Sequence, residues 1–157
     1  LQLELASMNP EALVLEVYER FLPLAPTRIR LAAATSELLP VIHVDRQRLQ
    51  QCFAALVDNA LKFSSDPVTL SVELAQGCVV FHVIDSGPGI PQQEREQVLE
   101  RFVRGSSSVG TRGSGIGLST VVLLMQAMQA ELVIADAANG GADMQLCFRA
   151  VDRPSWR

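Results

Sequence analysis

No run in the sequence is long enough to cross a membrane: the longest unbroken aliphatic stretch is residues 121–125, against roughly 20 apolar residues for a spanning helix. No charged-then-apolar leader opens it, and no direct membrane contact is expected. Aromatic residues are few, at 5%, and there is no basic block; 17 acids outnumber 13 Lys and Arg, leaving a net charge of −4. A mildly acidic chain of this kind does not suit a phosphate backbone as its main partner, so nucleic acid is excluded as a partner. Cysteine is also scarce. Cys52, Cys78 and Cys147 are odd in number and lack CxxC spacing, which fits small buried apolar residues in a reducing compartment. Gly (10) and Pro (8) are ordinary, and 48% of the 157 residues are hydrophobic. Collagenous and disordered classes are thereby excluded, and one domain with a real core is expected.

What is present reads as alternating short strands and helices. Asn9, Pro10 and Glu11 supply a cap, a first-position proline and a first-turn acid, so a helix is expected over 12–22, stopping near Pro23. Residues 29–33 and 40–44 look like short strands joined by a polar loop. Asp45 caps a long helix to about Phe63, whose Leu49, Phe53, Leu56, Ala60 and Phe63 recur at helical spacing as one buried stripe. Residues 68–75 and 78–85 form a hairpin across Gln76 and Gly77. A charged helix is expected over 92–103, a Ser/Gly-rich mobile loop over 105–115 and an apolar helix over 118–130. A second hairpin, 131–137 with 142–150, closes the domain across Asn139, Gly140 and Gly141. Adjacent-strand hairpins with helices grouped between them imply an α/β (α+β) two-layer sandwich: a mixed, largely antiparallel sheet covered by helices on one face.

Four features could carry chemistry. Asn59 and Lys62 lie three apart on one side of the long helix, flanking its apolar stripe. An amide oxygen is a neutral hard ligand suited to Mg²⁺, and an ammonium one turn on can reach a phosphate oxygen; an ordinary solvated helix edge is the plainer alternative. Asp85-Ser86-Gly87-Pro88-Gly89-Ile90 follows a strand directly. Its carboxylate would accept from the exocyclic amine of adenine and meet no donor on guanine's carbonyl, although turn chemistry explains the same residue types. Gly113-Ser114-Gly115-Ile116-Gly117-Leu118 leads into a helix, where alternating glycines can aim N–H groups at an anion. It is neither a Walker A loop nor a Rossmann fingerprint, and a flexible linker would have the same composition. Arg101-Phe102-Val103-Arg104 precedes the expected loop and Arg112 ends it, as a phosphate-covering lid requires; a basic helix C-terminus explains Arg101 and Arg104 equally. Their order within one short stretch covers every part of a Mg-nucleotide.

That order resembles the ATP-binding catalytic domain of bacterial sensor histidine kinases, of the GHKL or Bergerat type, over residues 9–148. Asp58 to Phe63 resembles the N box, Asp85 to Ile90 the first glycine box, Arg101 to Gly105 the F box and Gly113 to Leu118 the second glycine box. The resemblance implies the Bergerat fold, with ATP and Mg²⁺ as ligands. Asn59 would hold Mg²⁺ and, with Lys62, form the catalytic pair, Lys62 on the phosphate tail. Phe63, Gly87, Gly89 and Ile90 would shape the adenine pocket around Asp85. Phe102 would brace the lid, with Arg104 and Arg112 as phosphate contacts. Gly113, Gly115 and Gly117 would wrap the phosphates, Ser114 and Leu118 belonging to the same box. The implied partners are a histidine-containing dimerisation domain of the same protein and a response-regulator receiver domain. The expected organisation is 1–8 as the end of a preceding helical domain, 9–150 as the ATP-binding domain and 151–157 as a tail. The isolated domain would be a cytoplasmic monomer, its parent a homodimer that can be membrane-anchored.

The departures matter as much. Ala55 stands one turn before Asn59, where many of these kinases carry another Asn and hydrolytic relatives a general-base Glu, so rapid hydrolysis is not expected. Met128-Gln129-Ala130 stands where His-Gly-Gly often follows the last helix, and Ala142-Asp143 where a threonine pair is usual. His43 and His82 alternate with Val and Ile and are expected to be structural strand residues rather than phosphoacceptors. Two rivals stay open: a serine-directed kinase of anti-sigma-factor type, and a non-catalytic nucleotide sensor.

Overall fold

The computed structural model describes residues 2–32, 38–64, 66–86, 117–138 and 140–150. The elements are β1 (Ala6–Met8), α1 (Pro10–Phe21), β2 (Ile29–Leu31), β3 (Ile42–Val44), α2 (Arg46–Phe63), β4 (Val68–Ala75), β5 (Cys78–Ile84), α3 (Leu118–Ala127), β6 (Glu131–Asp136) and β7 (Ala142–Arg149).

The helix starts are chemical. Asn9 Oδ1 accepts the Glu11 N–H at 2.8 Å, with Pro10 at the first helical position of α1, where its missing N–H costs nothing. Asp45 caps α2, its carboxylate accepting the N–H of Arg48 at 3.1 Å and of Glu4 at 2.9 Å. Burial acts to raise the Asp45 carboxyl. The Glu4 and Arg48 N–H groups, the Arg48 charge and the Gln47 N–H together outweigh it and hold it below its ordinary 3.8. The stripe expected on α2 is buried at Leu49, Phe53, Leu56 and Ala60.

The main sheet has five strands in the order β2-β4-β5-β7-β6. β2 runs parallel to β4 and every other pair is antiparallel, which is the mixed, largely antiparallel sheet expected. Strand alternation sends Val79, Phe81 and Val83 of β5 to one face, where all are fully buried. There Phe81 meets Phe53 of α2 edge-on at 5.6 Å and Phe148 of β7 at 5.9 Å. α1, α2 and α3 share this core through Leu13, Val17, Leu56, Val121 and Met125, making the two-layer sandwich. Among the described residues no helix is long and apolar enough to cross a membrane.

Several expectations shift. The strands at 29–33 and 40–44 are shorter, and they part company: β2 joins the main sheet, while β3 pairs antiparallel with β1 in a separate two-stranded sheet. Ala6–Met8, within the segment expected to end a preceding helical domain, is therefore extended, with Ala6 opposite Val44. The helix expected over 118–130 stops at Ala127. Gln129 takes φ 58° and the Ala130 N–H returns to the Met125 carbonyl at 2.7 Å, a left-handed stop usually given to glycine. Cys52 is buried, but Cys78 and Cys147 are only half-buried, so the expectation of buried thiols holds for one of three. The helix over 92–103, the loop over 105–115 and the tail 151–157 lie outside the described residues.

Candidate functional site

α2 carries the first part of the site. Its apolar stripe packs on β4 and β5, which leaves the edge with Asn59 half-buried and Lys62 exposed. Lys62 Nζ lies 3.7 Å from Asp58 Oδ2 one turn back, a partly exposed pair that contributes little to stability. Ala55 is buried against the core, so the position one turn before Asn59 offers no side-chain oxygen. Were Mg²⁺ to bind on this edge, Asn59 would offer it one hard amide oxygen. That suits an ion which prefers phosphate and water oxygens for most of its shell.

The end of α2 is anchored from a distance. Arg28, just before β2, donates from Nη1 to the Leu61 carbonyl at 3.0 Å, and from Nη2 to the carbonyls of Ser64 and, at 3.2 Å, Asp66. These carbonyls belong to and follow the last turn, where orphan acceptors and the negative dipole end favour a cation. Arg28 was invisible to sequence reasoning, because its partners lie 33 to 38 residues away. Phe63 closes α2; its side chain lies outside the described residues.

The second part sits where β5 ends and β7 begins. Asp85 donates its N–H to the Ala142 carbonyl at 3.0 Å, and its Oδ1 accepts the Ala142 N–H at 3.2 Å. The carboxylate is thus fixed to the start of β7, and strand alternation puts it on the helix-covered side. Gly141 makes the arrangement possible. A Cβ there would stand 2.0 Å from the Asp85 carbonyl oxygen and 2.7 Å from the Ser86 Cα, far inside contact distance. The sequence signal was present in Asn139, Gly140 and Gly141, but turn chemistry alone explained it; the close approach to Asp85 did not show.

α3 supplies a third part. Gly117 is its N-cap and contributes no side-chain hydrogen bond, while Leu118 at the first position is buried. The positive dipole end of the helix therefore falls at Gly117, which in sequence is the last glycine of the second glycine box. Gly87, Gly89, Ile90, Phe102, Arg104, Arg112, Gly113, Ser114 and Gly115 lie outside the described residues. Of the expected site, the structure describes Asn59, Lys62, Asp85, Gly117 and Leu118, and sets the first two on the helix layer and Asp85 at the sheet's end.

The sheet's other face holds a cluster that sequence reasoning missed. His82 is 8% exposed. Its Nδ1 lies 2.9 and 3.0 Å from the two Asp143 oxygens, and its Nε2 2.6 Å from Glu73 Oε2. Gln145 Nε2 donates to Asp143 Oδ2 at 3.0 Å. Burial pulls the His82 pKa down, but the hydrogen bonds and charges of Asp143 and then Glu73 outweigh it and raise it above the ordinary 6.5. His82 is a strand residue as expected; its two carboxylate partners were not expected. The neighbouring Cys147 thiol is pushed up to about 11, by burial first and then by Glu131, Cys78 and Asp143, which keeps it protonated. His43, on β3, is exposed.

Residues 44–152 match the family described as "Histidine kinase-, DNA gyrase B-, and HSP90-like ATPase". The signal transduction histidine-protein kinase AfsQ2 of Streptomyces coelicolor is 38% identical over 100 residues, covering 63% of this chain and 19% of that protein. The crystal structure of full-length ShkA in complex with AMPPNP superposes with a TM-score of 0.76 and 32% identity, covering 98% of this chain and 33% of that one. The ATP-binding domain of PrrB from Mycobacterium tuberculosis shares the fold, with a TM-score of 0.75 at 20% identity over 95% of this chain and 99% of that domain. The chain thus spans about a fifth of the length of AfsQ2 and a third of ShkA.

Proposed function

Since the chain belongs to the histidine kinase-, DNA gyrase B- and HSP90-like ATPase family, and within it to the ATP-binding catalytic domains of histidine kinases, we propose that it binds Mg-ATP and presents the γ-phosphoryl to a histidine on a dimerisation domain of the same protein. The observation that carries the reading is Asp85: a carboxylate fixed by the Ala142 N–H, beside a glycine whose replacement by any larger residue would force the backbone of Asp85 and Ser86 to shift. Held there, it accepts from the adenine amine and finds only a carbonyl on guanine.

On the phosphate side the Asn59 amide would hold Mg²⁺, which when bound supplies charge neutralisation across the phosphates. Lys62 adds a mobile cation. Gly113, Gly115 and Gly117, which precede α3 in the sequence, would offer backbone N–H groups. The chain's contribution is positioning: the histidine nitrogen attacks phosphorus in line, and the bond to the ADP oxygen breaks. Ala55 has no base to activate water, so turnover without an acceptor is slow. Later transfer to a receiver-domain aspartate, and a cytoplasmic setting, follow from the same family reading.

A second reading is favoured by one observation. Ala55 is buried without a polar atom, which fits a nucleotide sensor that never transfers phosphate. Calorimetric titration of Mg-ADP and Mg-GDP into the wild-type chain and Asp85→Asn tests the pocket. Adenine-selective binding, weakened roughly ten- to hundredfold by Asp85→Asn, is expected for a hydrogen bond to a charged group; equal affinity for both bases would sink it. Transfer from labelled ATP to the full-length protein separates the rest. An acid-labile product supports histidine, an acid-stable one the serine rival, and none the sensor.

A further inference from the structure

We propose that His82 is a positioning residue of the nucleotide pocket: by bridging Glu73 of β4 and Asp143 of β7, it sets the strand end at which the Ala142 N–H holds the Asp85 carboxylate. The proposal rests on the reading of Asp85 given above. The connection is short and consists of contacts. Both ring nitrogens of His82 meet carboxylates, at 2.9 and 2.6 Å. Asp143 stands opposite Ile84 in the β5–β7 register, flanked in the chain by Ala142, which exchanges two hydrogen bonds with Asp85. Alternation puts His82 and Asp143 on the open face and Asp85 on the other, so the imidazole acts through the backbone and touches no ligand itself.

The bridge depends on the ring's proton count. Ionised carboxylates only accept, so both contacts are hydrogen bonds only when the imidazole carries two N–H groups. Removing one proton leaves a nitrogen lone pair facing a carboxylate oxygen, and one side of the bridge lets go. The groups around the ring are Glu73 from β4 and Asp143 and Gln145 from β7. Farther along the same face stand Glu131 of β6 opposite Cys147, and Arg149 opposite Cys78. The nearest partners are anionic, and they favour the protonated ring despite its burial.

The test follows the 157-residue chain, as wild type, His82→Gln and Glu73→Gln, from about pH 6, below the ordinary histidine value, upward to about pH 9. Hydrogen exchange at the Ala142 and Asp85 amides reads the strand end, and calorimetry with Mg-ADP reads the pocket. Taking the ratio of wild type to His82→Gln cancels the titration of ADP itself. Wild type is expected to bind about fivefold tighter than His82→Gln at the acid end, the worth of one ordinary hydrogen bond, and equally at the alkaline end. Amide protection should follow the same curve. Glu73→Gln should keep the acid-end affinity to the alkaline end, because its amide accepts from the protonated ring and, turned over, donates to the bare nitrogen of the neutral one. A ratio that stays flat with pH, or Ala142 protection blind to His82→Gln, would overturn the proposal. ADP binding that Asp85→Asn weakens, together with a flat ratio, removes the His82 role alone. No ADP binding in wild type removes the Asp85 reading, and the pocket role of His82 with it.

Discussion

The two faces of the central sheet are held by opposite means. Under the helices, Val79, Phe81 and Val83 of β5 are fully buried and Phe81 packs edge-on against Phe53 and Phe148; nothing on that face of β5 has a direction beyond shape. On the open face, one residue along, His82 is nearly as buried, yet it is held by three named heteroatom contacts to Glu73 and Asp143. Apolar burial is strong, non-directional and insensitive to pH. The polar bridge is weaker, directional and titratable. The division teaches where regulation can enter this fold without risk to its core. The proposed site lies where the two regimes meet, since Asp85 follows β5 directly and is tied to β7.

The contrast can be broken most severely from the helix side. Phe81→Ala should cost about 3–5 kcal/mol, as for other buried aromatics cut to alanine, read from urea unfolding. A loss no larger than that of His82→Gln would mean that the core is not where the fold's stability resides. Gly141→Ala strikes the boundary. The new Cβ must drive β7 away from the Asp85 carbonyl, at about 1–3 kcal/mol for an overpacked site, and Mg-ADP binding should fall with it. Unchanged stability and binding would show that the backbone can yield there cheaply.

The smallest effect sharpens the open face. His82 has a folded pKa raised above its ordinary 6.5, so the folded state binds the proton more tightly than the unfolded chain. Its stabilisation is complete below about 6.5, the unfolded value, and is lost as pH rises through the higher folded value. The stability gap between wild type and His82→Gln should therefore be about 1 kcal/mol at the acid end, for a hydrogen-bonded side chain, and should close on the alkaline side. A gap that widens with pH would reverse the assigned sign. Thermal unfolding across that window measures it.

How much was legible depended on distance along the chain. The Asp45 cap and the α2 stripe could be read because a cap acts within three residues and a helix repeats every 3.6. The β4–β5 turn was legible too; Gln76 and Gly77 take φ 53° and 79°, the double positive turn that matches strand twist. Asn59, Lys62 and Asp85 stood out because their residue types announce their chemistry. Arg28, Gly141 and His82 did not. Arg28 caps carbonyls 33 to 38 residues on, and His82 meets partners 9 and 61 residues away. Gly141 owes its necessity to the Asp85 backbone, and its own neighbours made it look like one more turn glycine. The two short strands parted into different sheets for the same reason, because a strand's partner is not written in the strand.

By itself, then, the sequence determined most of the described elements, the caps of α1 and α2, the two hairpins and the order of motifs that marks a nucleotide site, all of which act through bonds and contacts a few residues apart. Only the tertiary structure decided which strand lies beside which, why a side chain at Gly141 would clash, what anchors the end of α2 and which carboxylates close on His82. Those depend on chain segments brought together only after long loops have closed, and their cost and geometry belong to the whole fold.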